Sequence, residues 1–110
     1  VAVMLEIVQG EGGIHLASIE YQKGLRELCD QYGWLMICDE VQTGLMRCGE
    51  LWGISTYGVT PDIIVTSKGL SGGIYPISAV ITTVGSRPKP NQTMNSGASA
   101  SFGVTWLSTR

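Results

Sequence analysis

The stretch Trp34-Leu35-Met36-Ile37-Cys38-Asp39-Glu40-Val41-Gln42-Thr43-Gly44 decides the fold. It opens as an apolar run of strand length and drops without transition into Asp39-Glu40. A second run, Ile63-Ile64-Val65, drops in the same way into Thr66-Ser67-Lys68-Gly69. Short buried strands that end in polar groups are what an open α/β sheet offers, because such sheets place their reactive groups just outside the carboxyl ends of the strands. Asp39 and Lys68 are therefore expected at the same edge of one sheet.

Working outward, Ser18 is a candidate N-cap. Leu25, Leu28, Cys29 and Tyr32 recur at helical spacing, Glu20, Lys23, Arg26, Glu27 and Asp30 take the opposite, solvated face, and Gly33 supplies the stop. Upstream, Val1 to Val8 is apolar apart from Glu6 and reads as a strand buried on both faces, with Glu6 either at its end or paired with a cation. Strand, helix (Ile19 to Tyr32) and strand form a βαβ unit with parallel strands and a right-handed crossover. Between them, Gln9-Gly10-Glu11-Gly12-Gly13 is a glycine loop able to turn sharply or approach a ligand.

Downstream, Gly44 to Gly58 reads as irregular connection with a turn of helix. Thr60-Pro61-Asp62 introduces the next strand, since proline confines the residue before it to extended geometry. Gly69-Leu70-Ser71-Gly72-Gly73 is a second glycine loop, Ile77 to Thr83 a strand rich in branched residues, and Gly85 to Ala100 a loop. The chain starts inside an apolar run, and we read it as an internal piece of a longer protein.

Composition narrows the function. A formal net charge of −2, with no Lys/Arg cluster, gives no field for nucleic acid. A hydrophobic fraction of 44% with 15 glycines suits a packed, turn-rich interior. No apolar run is long enough to span a membrane. Cys29, Cys38 and Cys48 form no closed disulfide framework, which suits reduced thiols in a cytoplasmic compartment with Cys29 and Cys38 in the core, and one histidine leaves no metal site.

Two chemistries suit strand tips of this kind. An apolar run ending in Asp-Glu is also how nucleotide hydrolases hold magnesium, but the phosphate loop G-x-x-x-x-G-K-[ST] is absent from this chain. The other chemistry is a carbonyl-binding lysine. Of Lys23, Lys68 and Lys89, only Lys68 leads from a buried strand into a glycine loop. Desolvation there favours the neutral amine that attacks aldehydes, although a lysine at a strand end is more often a surface residue.

Glu6, Gln9-Gly10-Glu11-Gly12-Gly13, Asp39-Glu40-Val41-Gln42-Thr43-Gly44, Thr60-Pro61-Asp62, Ser67-Lys68-Gly69 and Gly72-Gly73-Ile74-Tyr75-Pro76 stand in an order and spacing that resembles the class III pyridoxal-phosphate aminotransferases. That family includes ornithine, acetylornithine, 4-aminobutyrate and ω-amino-acid aminotransferases, with dialkylglycine decarboxylase as a relative. The resemblance runs from about Val1 to Thr83. It implies an α/β fold, namely the central part of the large domain of a fold-type I enzyme over residues 1–110, with a mostly parallel sheet and flanking helices.

The resemblance also implies roles. Lys68 matches the lysine that holds pyridoxal 5'-phosphate as an internal aldimine and later moves the substrate proton. Asp39 matches the carboxylate that keeps the pyridine nitrogen protonated, so that the ring acts as an electron sink. Val41 would cover one ring face and Gln42 bond the phenolic oxygen. Glu11 matches a loop glutamate that pairs with a substrate-binding arginine, and Glu6 a strand glutamate of the same site. Glu40, Arg47 and Tyr75 match family positions with structural roles. Two departures stand out: Ile7 replaces the usual proline, and Ala100-Ser101-Phe102-Gly103-Val104 lacks the Asn-Pro that normally follows, leaving Ser101 as the candidate hydroxyl for the cofactor phosphate of a neighbouring subunit.

The implied reaction is amino transfer between an amine or ω-amino acid and a 2-oxo acid in a homodimer or larger assembly. A related decarboxylation, or an inactive product that only interacts with full-length subunits, is the alternative. The isolated 110 residues are expected to be inactive and poorly folded, with sheet edges exposed.

Overall fold

The structure, a computed structural model, describes residues 1–84 and the strand at 101–107. Seven strands and one α-helix follow in chain order: β1 (Ala2–Glu6), β2 (Val8–Gln9), β3 (His15–Leu16), α1 (Ile19–Tyr32), β4 (Leu35–Asp39), β5 (Ile63–Thr66), β6 (Ser78–Val84) and β7 (Ser101–Leu107), with a 3-10 turn at Gly53–Tyr57. The main sheet has the order β1-β4-β5-β6-β7, and β2 pairs with β3 as a separate small hairpin. β1, β4 and β5 run parallel, whereas β6 is antiparallel to β5 and β7 antiparallel to β6. The expected α/β architecture is thus present, with α1 as the crossover between β1 and β4.

Helix α1 forms where its local signals place it. Ser18 is extended at the N-cap (φ −74°, ψ 159°) and its side chain accepts from Tyr21 N, while Gly33 takes the left-handed conformation (φ 65°) that ends the helix. Backbone N–H and the Ser18 hydroxyl hold the exposed Glu20 carboxyl below the usual carboxylate range.

The inward face of α1 departs from the expectation. Gln22 and Cys29 are buried with Leu25 beside them, while Leu28 and Tyr32 are exposed, Tyr32 stacking on Trp34 at 5.1 Å between ring centroids. Arg26, expected in solvent, has a side chain only 12% exposed and pairs with Asp62 at 3.1 Å and Asp30 at 3.2 Å. The cause is tertiary. Asp62 is buried beneath the helix, where it also accepts from Met36 N at 2.7 Å, and its charge draws the guanidinium inward.

Strand β1 corrects a second expectation. It is not covered on both faces but alternates exposed and half-buried along its length, because Val3 and Leu5 turn to the core while nothing among the described residues covers the other face. The core lies between α1, β4 and the 3-10 turn: Ile7, Cys29, Met36, Cys38, Ile54, Tyr57 and Val59, with Val3, Leu5, Leu25, Trp34 and Trp52 against them. Cys29 and Cys38 are both fully buried in it, as expected. Burial, and secondarily the Glu40 charge, pushes the Cys38 thiol up to about 12. No described helix is long and apolar enough to cross a membrane. The loop expected over Gly85 to Ala100 lies outside the described residues.

Candidate active site

The parallel pairing of β4 with β5 brings two chemistries to one sheet edge. Asp39 closes β4 in register with Val65, and Lys68 stands three residues beyond Val65. The Glu40 N–H donates to Val65 O at 2.8 Å, which carries the pairing past the last strand residue. Asp39 is half-buried, and its Oδ1 accepts from Val41 N at 3.0 Å. No cation among the described residues pairs with it. Lys68 is exposed and makes no ion pair among those residues either.

Glu40 is the anchor beneath this edge. It is 0% exposed and its carboxylate is fully engaged: Oε1 accepts from Ile54 N at 2.7 Å, and Oε2 from Gly53 N at 2.9 Å and from the Thr43 hydroxyl. A buried carboxylate is tolerable only when satisfied in this way. Its structural role was legible as such. Arg47 and Tyr75 are exposed, and neither packs into the core.

Above the edge is a cleft of about 1030 Å³ whose lining includes Gly10, Glu11, Val41, Gln42, Lys68 and Gly73. Four residues proposed from sequence, Glu11, Val41, Gln42 and Lys68, therefore meet on one surface. Gln42 Nε2 donates to Glu11 Oε1 at 3.5 Å, joining the glycine loop to the β4 tip. The loop comes close because residue 10 is glycine: a Cβ there would lie 3.0 Å from Gln42 Nε2.

Asp39, at the β4 tip, is not among the lining residues, and the other two expectations, Glu6 and Ser101, also fall elsewhere. Glu6 ends β1 beside Asp39, its register partner, and its Oε2 accepts from Gly10 N at 3.2 Å, which answers the need of a carboxylate at that position. It lines a separate pocket of about 250 Å³ with His15 and Tyr21 rather than the main cleft. Ser101 begins β7 opposite Val84, and its side chain lies outside the described residues.

The turn after Gly44 has a backbone that no sequence signal marks. Leu45 (φ 56°) and Met46 (φ 70°) are both left-handed, and their N–H groups both point to Leu51 O, at 2.7 and 3.4 Å. Nothing in the residue types announces this, since neither is Gly, Asn or Asp.

A strand-tip carboxylate, a strand-tip lysine and a glutamine held by a glycine loop can be compared with known proteins. The profile of the class III aminotransferases matches residues 1–109. The chain belongs to this family. This class III sequence is 55% identical over 80 residues to the acetylornithine aminotransferase of Caldanaerobacter subterraneus, covering 73% of the chain and 20% of the relative. It is 57% identical over 82 residues to the succinylornithine transaminase of Salmonella newport, covering 74% of the chain and 20% of the relative. The ornithine δ-aminotransferase of Plasmodium falciparum superposes with a TM-score of 0.70 at 51% identity, over 72% of the chain and 20% of that structure. The N-acetylornithine aminotransferase of Stenotrophomonas maltophilia gives 0.69 at 44% identity, over 74% and 22%. The chain thus spans about a fifth of the length of the curated relatives it matches.

Proposed function

We propose that the protein to which this chain belongs transfers an amino group between an amine or ω-amino acid and a 2-oxo acid, using pyridoxal 5'-phosphate held at the β4 and β5 tips, and that the chain is the central part of the cofactor-binding large domain. The observation that carries the reading is the convergence of Glu11, Val41, Gln42 and Lys68 on one cleft above the edge where Asp39 ends β4.

The residues fit the cofactor. The cleft has room for a substituted pyridine with a substrate beside it. Asp39 brings a carboxylate that no described cation neutralises, and Lys68 an exposed amine with no ion-pair partner among the described residues. When bound, the cofactor supplies an aldehyde that condenses with amines and a ring that accepts the electron pair released at the substrate Cα.

The chain's own groups do the rest. Lys68 would be the residue that holds the cofactor, and its amine would serve as the general base for the proton at the substrate Cα. Asp39, fixed by Val41 N, keeps a proton on the ring nitrogen and so maintains the positive charge that draws electrons inward. Val41 shields one ring face from water, and Gln42 donates to the ring oxygen. Glu11, on the cleft wall, would select among substrate charges, with Glu6 acting through the glycine loop that it holds at Gly10 N, and Ser101 would supply the hydroxyl for the cofactor phosphate of a neighbouring subunit in a homodimer. The three cysteines, joined by no disulfide, suit a reducing cytoplasmic compartment.

The test is Lys68→Ala in the full-length protein. The absorption band of the lysine-bound cofactor is expected to vanish, and an unchanged band contradicts the assignment.

A further inference from the structure

We propose that Leu45 is a positioning residue for Lys68: its left-handed backbone sets its side chain against Gly69, and this contact fixes the turn on which Lys68 stands. The proposal rests on the reading of Lys68 given above.

The turn after β5 is held at both ends. The Ser67 hydroxyl donates to Ile77 O at 2.8 Å, and Leu70 N donates to Ser67 O at 2.6 Å. Lys68 forms no ion pair among the described residues, so its position depends on what presses against its neighbours. At Gly69 a Cβ would lie 3.2 Å from both Leu45 Cβ and Leu45 Cδ1 and 3.8 Å from Cγ. Gly69 is not in the left-handed region, so glycine serves here to let Leu45 approach rather than to supply an unusual backbone.

Leu45 is held just as firmly from its own side. Gly44 N donates to Glu40 O at 3.0 Å, and a Cβ on Gly44 would collide with that oxygen at 2.8 Å and with the Trp52 ring at 3.0 Å. Leu45 N then donates to Leu51 O at 2.7 Å, which locks φ at 56°. A continuous path therefore runs from the buried Glu40 through Gly44 and Leu45 to Gly69, next to Lys68. It joins the Asp39 turn to the Lys68 turn independently of the β4/β5 pairing. A left-handed leucine is disfavoured on its own, and strain of this kind persists only where the surroundings over-determine it.

The experiment uses the full-length, cofactor-loaded protein and reads the pH midpoint of the lysine-bound cofactor's absorption, the cofactor dissociation constant, and kcat against KM. Leu45→Ala and Gly69→Ala are each expected to move the midpoint, to weaken cofactor retention and to lower kcat by about tenfold or more with a smaller change in KM, since misplacing a reacting group acts on the chemical step. Leu45→Met, which replaces the branched side chain by an unbranched apolar one of similar volume, restores the wild-type midpoint. In Leu45→Ala/Gly69→Ala the new methyl is freed of Leu45 Cδ1 and Cγ but still meets the Cβ of residue 45 at 3.2 Å, so the double variant loses less than the sum of the two single losses. A midpoint unmoved in both single variants, or strictly additive losses in the double variant, overturns the proposal. The two readings fail separately: a band that survives Lys68→Ala removes the role of Lys68, whereas a band lost there with silent Leu45 and Gly69 variants removes only the role of Leu45.

Discussion

Asp39 and Lys68 belong to adjacent parallel strands, and the register that sets Asp39 opposite Val65 leaves Lys68 three residues past the same level. Parallel pairing is what matters here. An antiparallel neighbour would have sent the two groups to opposite edges of the sheet.

Because the Asp39 carboxylate has no described cation to neutralise it, its charge is free to act on a bound ring. Asp39→Asn keeps the shape and the acceptor for Val41 N but loses the charge. The full-length variant is expected to retain the cofactor by absorption yet turn over at least about a hundredfold more slowly, the scale seen when one electrostatic stabiliser is removed. Near-normal turnover would count against the electron-sink role.

Glu40 holds the same edge by packing rather than chemistry. Glu40→Gln puts an amide N–H against donors that now meet an oxygen, Gly53 N and the Thr43 hydroxyl or Ile54 N. A loss of about 2–3 kcal/mol is expected, measured by denaturant unfolding, because buried donors are left unsatisfied. A loss within ~0.5 kcal/mol, typical of a surface change, would show that the site is not a buried anchor.

The cysteines should separate by burial. Cys48 is exposed, whereas Cys29 and Cys38 are buried and the Cys38 thiol is raised from 9.0 to about 12. Alkylation at mildly alkaline pH is expected to label Cys48 first and Cys38 only after unfolding. The linkage has a definite sign. The folded state resists forming the Cys38 thiolate, so this contribution to stability is complete below pH 9 and is lost as the pH climbs towards about 12. Rapid labelling of Cys38 in the native protein would contradict its place in the core.

Met46 sits at φ 70° with its side chain exposed, so its backbone strain is not offset by burial. Met46→Gly relieves about 1 kcal/mol of left-handed penalty and gives back part of it through the freer unfolded chain, for a net gain of ~0.5 kcal/mol. Thermal unfolding of the full-length pair measures it, and a lower midpoint for the variant would mean that the methionine side chain contributes more than the strain costs.

Local signals carried most of the legible structure. Ser18 and Gly33 marked the ends of α1, and apolar runs marked β4 and β5, because caps and strand composition act within a few residues. The inward face of α1 was not legible, since Arg26 is drawn in by Asp62, 36 positions away. The β2/β3 hairpin was hidden by its length, two residues in each strand. The candidate site was readable as motifs, but the contact of Leu45 with Gly69 was not, because it depends on a left-handed leucine that no residue type forecasts.

The most direct measurement is borohydride reduction of the full-length, cofactor-loaded protein followed by mass mapping of its peptides. Reduction freezes the bond between amine and aldehyde, so the pyridoxyl group should be found on Lys68 and on no other lysine. A label on Lys23, Lys89 or a residue elsewhere in the protein, with Lys68 unmodified, would contradict the account.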